Sequence, residues 1–368
     1  MNSKLIHRVL HLIVEIQQIP APTFSEKQRA AYIQKLFQDE GLQDVSIDSI
    51  GNVYGRLPGM GASPPIIVSA HSDTVFPEWI DLQVVRRRGK IYAPGVGDNA
   101  TGLASLLGLL WILRKRGIQL PGDLWLVANV GEEGLGDLNG MRAVVDRFGG
   151  NVSAYLVLEG FSLGRVYHKG LGVQRYRVSI ETCGGHSWVD YGQPSAIHEL
   201  AQLITQLTSI PLPEQPRTTL NVGLISGGTS VNTIAAEAHL ELDLRSEDTQ
   251  VLKTLVEQVH VVMEAANRPG VQVSSEVIGQ RPAGEIPADH SLVELAKRCL
   301  QTQGIQPTLS VGSTDANIPL SLGYPAICVG MTTGGGVHTI NEYINTKPLA
   351  LGLACLIDLV VSVFLENI

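Results

Sequence analysis

His71, Asp73, Asp98, Glu132, Glu133, Glu159 and His338 are the residues whose types and placement could do chemistry together. Most of them end or follow a short apolar run: Pro65-Ile-Ile-Val-Ser-Ala-His71, Asp123-Leu-Trp-Leu-Val-Ala-Asn-Val130, Ala154-Tyr-Leu-Val-Leu-Glu159 and Tyr324-Pro-Ala-Ile-Cys-Val-Gly330. Runs of that length, apolar on both faces, are expected as central strands of a sheet covered by helices. Open α/β sheets gather their ligand sites at the carboxyl ends of such strands. Several carboxylates on one edge repel one another unless cations lie among them. One ion would leave carboxylates over, whereas two would use the set. Imidazole and carboxylate donors together suit zinc, with cobalt or manganese as alternatives.

Taken singly, each residue has a plainer reading. Alternation places His71 and Asp73 on one side of a strand end, so Asp73 either accepts from the ring nitrogen of His71 that faces away from metal or caps the following turn. Glu132 and Glu133 diverge if the backbone is extended, so one can bind metal while the other faces water as a general base; otherwise they form a solvated acidic loop. Asp98, in Gly95-Val-Gly-Asp-Asn-Ala-Thr-Gly102, either caps the helix after it or bridges two ions through both oxygens.

The elements that must position these residues fall into two kinds. Up to about residue 171, helical patterns alternate with buried strands: an amphipathic N-terminal helix, a second near Ser25 to Glu40, and a long apolar one from Ala100 to Arg116. From about Gly172 the strands alternate instead. Gln174, Tyr176, Val178 and Ile180 take one face, and Arg175, Arg177, Ser179 and Glu181 the other, which describes a sheet with one wet side. A helix over 194–209, strands over 220–225 and 233–245, a helix carrying Val251, Leu255, Val259 and Val262, and a strand over 271–278 complete a β-α-β-β-α-β order. The first type resumes near Pro282 with a helix over 291–303. The expected fold is thus α/β, with a mixed, largely parallel sheet and helices on both faces, formed by residues 1–171 and 282–368. Residues 172–281 form an inserted ferredoxin-like α+β domain.

Composition narrows the function. The 368 residues exceed one core of ordinary size. With 27 Lys and Arg against 35 Asp and Glu, the formal charge is −8, which argues against a nucleic-acid partner. Cys183, Cys299, Cys328 and Cys355 form no CxxC pair, so a thiolate zinc site is not expected, and free thiols suit the cytoplasm. The apolar segment from Leu349 to Leu365 carries Asp358 in its middle and reads as a buried core helix rather than a membrane span.

In order along the chain, His71-Ser-Asp-Thr-Val, Gly95-Val-Gly-Asp-Asn-Ala-Thr-Gly, Gly131-Glu-Glu-Gly, Leu158-Glu-Gly and Gly335-Gly-Val-His-Thr resemble the aminoacylase, carboxypeptidase G and peptidase T family of dinuclear metallohydrolases. The resemblance spans essentially the whole chain. It implies that His71 and Glu159 hold one ion, that Glu133 and His338 hold the other, and that Asp98 bridges them. Glu132 would be the base acting on a water shared by the ions, with Asp73 supporting His71. In the insert, His186 in Gly184-Gly-His-Ser would correspond to a lid histidine that reaches the partner subunit's active site and stabilises the oxyanion. Asn232 and Arg245 would correspond to substrate contacts, and the insert to a dimerisation domain. The expected substrate is a short peptide or an N-acyl amino acid, cleaved at an amide bond by a homodimer. Two departures stand out: Glu159 occupies a position where many members have Asp, and Thr182 one where Gly is usual, with Trp188 close by.

Two rivals follow from other features. Gly160-Phe-Ser-Leu-Gly164 matches a serine-hydrolase elbow, but an elbow must lead straight into a helix, and Arg165-Val-Tyr-His leads towards a strand. A metal-bearing peptide-binding or scaffold protein without catalysis is the non-enzyme alternative; the presence of every ligand and of the base argues against it.

Overall fold

A computed structural model describes residues 3–366. The chain divides into two compact units, one formed by residues up to Gly170 and from Gly284, the other by Leu171–Ala283.

The first unit is built on a nine-stranded sheet. Its centre is four parallel strands in the order Leu124–Asn129, Ile66–His71, Ala154–Glu159 and Ala326–Gly330. All four are apolar and almost wholly buried. Their register aligns the carboxyl ends: His71 lies opposite Asn129, and Glu159 opposite Gly330. Antiparallel strands flank this centre, Gln43–Ile47 and Val53–Leu57 on one side and Arg165–Gly170 on the other.

Helix Ala100–Arg116 packs on the Ile66–His71 and Ala154–Glu159 strands. It is buried from Ala100 to Leu113, which its Leu- and Ala-rich sequence permits. Asn99 caps it by accepting from Gly102 N at 3.0 Å, and Gly117, at φ 63°, ends it in the left-handed region. Helices Ser3–Gln17 and Leu349–Glu366 pack against it. Among the described residues, Leu349–Glu366 is the one helix long and apolar enough to cross a membrane. Here it is a core helix, lying on Ser291–Thr302 as well, and Asp358 accepts from Gln303 Nε2 at 3.1 Å.

The second unit is a four-stranded antiparallel sheet in the order Thr218–Gly227, Glu237–Ser246, Gly172–Thr182, Val271–Arg281. Helices Ala196–Thr208 and Thr249–Ala265 cover its apolar face, where Tyr176, Val178, Leu240 and Leu242 are buried. The other face carries ion pairs, Arg175–Asp243 at 2.8 Å and Arg177–Glu241 at 2.9 Å. The strand expected over 233–245 is two strands. Thr233–Ile234 pairs with Gly185–His186, and the main strand starts only at Glu237. The break falls where Ala236 O accepts from Thr182 N and Ala235 O from Ala196 N.

Candidate metal centre

The parallel strands deliver their polar ends to one place. His71 closes its strand, with Nε2 3.0 Å from Asp98 Oδ1 and 3.8 Å from Glu159 Oε2. His338 arrives from the glycine loop after the fourth strand. Its Nε2 lies 3.2 Å from Asp98 Oδ2 and 3.1 Å from Glu133 Oε1. The Asp98 carboxylate therefore stands between the two imidazoles, one oxygen to each. Helix capping falls to Asn99, which leaves the Asp98 side chain for this position.

Asp73 does more than follow His71. The His71 Nδ1–H lies 3.2 Å from the Asp73 backbone carbonyl and 3.4 Å from its Oδ1. The fully buried carboxylate accepts from Glu132 N at 3.0 Å, Glu133 N at 2.9 Å and Thr23 Oγ1 at 2.9 Å. One side chain thus fixes the backbone of both glutamates. With its amide held by Asp73 Oδ2, Glu133 sends its side chain to His338. The Glu132 carboxylate lies close enough to Glu159 to raise its pKa.

Protonation reflects the crowding. Burial alone would lower the His71 pKa, but contacts with Asp73 and Asp98 outweigh it and raise the pKa well above that of a free imidazole. Hydrogen bonds to Asp98 and Glu133 raise His338 to about 10. Asp98 is pushed up by burial but carried far below the usual carboxylate range by the two histidines. Glu159 is raised well above its ordinary value, chiefly by burial and then by Asp98, Glu132 and Asp315, against the pull of His71.

His71, Asp98 and Glu133 offer donor atoms that all lie within 4.8 Å of one another, a span that a single divalent ion can fill. Buried carboxylates outnumber the imidazoles, and the donors are nitrogen and oxygen, so the residues present fit divalent metal. The raised pKa values favour protons on His71 and His338 at the atoms that would bind metal, so metal would have to displace them.

That competition makes a prediction for protein stripped of metal. An imidazole with a raised folded-state pKa stabilises the fold below its unfolded pKa, about 6.5. The contribution is lost as pH rises through the folded pKa, about 10 for His338. Raised Glu159 acts in the same direction, starting from about 4.3. The Tm of stripped protein should therefore fall from pH 7 to pH 10, while zinc-loaded protein should resist that fall. Melting curves of both forms test this, and a flat profile for the stripped form would contradict it.

The other expected site residues lie in the second unit. His186 and Asn232 belong to neighbouring segments, with Ser187 N donating to Asn232 O at 3.0 Å. His186 Nδ1 accepts from Trp188 N at 3.2 Å and Val189 N at 3.4 Å, which leaves Nε2–H as a donor. Trp188 is exposed. Arg245 lies on the wet face of the sheet, its Nε 2.6 Å from Asp243 Oδ2. Ser162 sits in the turn between strands Ala154–Glu159 and Arg165–Gly170, and no helix follows it, so the elbow geometry is absent. Gly160 in this turn packs so closely that an added Cβ would meet Gly97 O at 1.8 Å, which brings the Glu159 turn against the Asp98 loop.

Two buried acids escaped the sequence reading. Asp315 accepts from Asn129 Nδ2 at 2.6 Å and contributes to the raised pKa of Glu159. Glu342 accepts from three amides of the Asp98 loop. The one local signal was the position of Glu342, four residues past His338.

Comparison with known proteins places this fold in a class. The sequence profile of peptidase family M20/M25/M40 matches residues 67–362, a span that includes every candidate ligand. YqjE of Bacillus subtilis, described as uncharacterised, is 26% identical over 93% of this chain and 94% of its own length. Succinyl-diaminopimelate desuccinylase of Bordetella avium is 24% identical over 91% and 93%. The crystal structure of a tripeptidase from Staphylococcus aureus superposes with a TM-score of 0.83 over 97% of this chain and 98% of its own, at 24% identity. The chain belongs to peptidase family M20/M25/M40 and is a hydrolase of carbon–nitrogen amide bonds.

Proposed function

We propose that the chain is a dinuclear metal-dependent exopeptidase or deacylase that cleaves the amide bond of a short peptide or an N-acyl amino acid. The observation that carries this is the Asp98 carboxylate, with one oxygen facing His71 and the other His338. Each imidazole has its own further carboxylate, Glu159 for His71 and Glu133 for His338. In this reading His71 and Glu159 hold one ion, Glu133 and His338 hold the second, and Asp98 is shared. Zinc suits the donors best, with cobalt and manganese able to replace it. When bound, the two ions lower the pKa of water and polarise the substrate carbonyl.

The protein's own groups do the rest. Glu132 takes a proton from the attacking water and returns it to the leaving nitrogen. Asp73 keeps Glu132 and Glu133 in place by their backbone amides and holds the His71 ring through Nδ1–H. His186, with Nε2–H as a donor, serves the active site of the partner subunit, where it stabilises the oxyanion. Asn232 and Arg245 receive the substrate, Arg245 by its carboxylate. The insert pairs two copies into a homodimer; its sheet ends in the edge strand Thr218–Gly227, and open edges of this kind pair with another chain. The four free cysteines suit the cytoplasm.

The test is a panel of di- and tripeptides and N-acyl amino acids, assayed with zinc-loaded and chelator-stripped protein. Turnover of at least one substrate class should vanish on stripping and return with zinc. Activity that survives stripping would overturn the reading.

A further inference from the structure

Asp98 and His338 are 240 residues apart, yet the site requires their loops in fixed register. Backbone pairing accomplishes part of this. Strand Tyr343–Asn345 runs antiparallel to Lys90–Tyr92, with Tyr343 opposite Tyr92. Beyond that pair, Ala93 N donates to Glu342 O at 3.0 Å. From there both chains leave the strand and turn towards the metal centre, one as Gly95–Asp98 and the other, traced backwards, as Glu342 to His338.

Where the ladder stops, the Glu342 side chain takes over. It is fully buried. Its Oε2 accepts from Gly95 N at 3.0 Å, and its Oε1 from Gly97 N at 2.7 Å and Asp98 N at 2.9 Å. A carboxylate is the one side chain of this length that can accept at both ends of such an array, since Gln would turn an NH2 group onto one of the donors. The His338 side of the loop is equally constrained. Thr339 N donates to Gly336 O at 3.0 Å and Glu342 N to Thr339 O at 3.1 Å, so His338 and Glu342 belong to one compact turn. Gly336, at φ 72°, lies against Asn341 O, which an added Cβ would approach to 2.8 Å.

We infer that Glu342 is a positioning residue for the metal centre: it fastens the loop that carries Asp98 to the loop that carries His338, so that the shared carboxylate faces both imidazoles before any ion arrives. This rests on the assignment of Asp98 and His338 as ligands. A purely structural role, satisfying three buried amides, would cost stability alone. A positioning role also changes how tightly the ions are held, as changes to the partners of metal ligands do by about 10–100-fold.

The test is Glu342→Gln, with zinc affinity read by competition with a chromogenic chelator and the visible spectrum of the cobalt-loaded protein read beside it. The inference expects folded variant with zinc bound about 10–100-fold more weakly and an altered cobalt spectrum. Wild-type affinity and spectrum in folded variant would overturn it. A second measurement needs no variant. In stripped wild-type protein, the amides of Gly95, Gly97 and Asp98 should exchange with solvent as slowly as those of the central strands. Fast exchange there, slowed only by zinc, would overturn the inference equally. Wild-type protein that binds no zinc would sink the metal reading itself, and this inference with it.

Discussion

Glu132→Gln should lower kcat by about 10²–10⁴-fold, the range that general acid–base groups supply, which corresponds to about 3–5 kcal/mol of barrier. The expectation rests on division of labour between neighbours. Asp73 holds the amides of Glu132 and Glu133 on its two oxygens, at 3.0 and 2.9 Å. The Glu133 carboxylate faces His338 at 3.1 Å, and the proposed function assigns the water to Glu132. Gln is close in shape and keeps the backbone bonds, so metal content should stay at the wild-type level while turnover collapses. Kinetics and metal analysis on the same sample separate the cases. Unchanged kcat would remove Glu132 as the base, and loss of metal would make it a ligand instead.

Asp98→Ala should cost both ions and reduce activity to background. Its oxygens lie 3.0 Å from His71 and 3.2 Å from His338, so one truncation strips a donor from each site. The buried His71 and the more exposed His338 would also lose their shared anion. The fold should survive, because Asn99 caps the following helix and Glu342 binds the backbone of residue 98 rather than its side chain. Glu159→Ala, by contrast, should weaken one ion only. If Asp98→Ala keeps one ion at wild-type affinity, the shared position is wrong.

The centre of the fold was legible because its signals are local. Four apolar runs of strand length and the Ala100–Arg116 helix can each be read within their own residues. The meeting of His71, Asp98, Glu133, Glu159 and His338 was legible because a parallel sheet sends its carboxyl ends to one edge. Local sequence does not tell whether Asp98 or Asn99 caps the helix; Asn99 does, and Asp98 faces the two imidazoles. What escaped is what depends on distant partners. Strands Lys90–Tyr92 and Tyr343–Asn345 have three residues each, too few for a period, and exist because they find each other across the chain. Glu342 looked like a loop glutamate, since the amides it serves lie 244 to 247 residues earlier. The hold of Asp73 on the Glu132–Glu133 backbone was hidden for the same reason, whereas its contact with the nearby His71 was expected and is present.

Anomalous diffraction at the zinc edge, from crystals grown with zinc, tests the central claim most directly. Two peaks per chain should appear, one beside His71 and Glu159, the other beside Glu133 and His338, with Asp98 between them. A single peak, or peaks away from these five residues, would contradict the account.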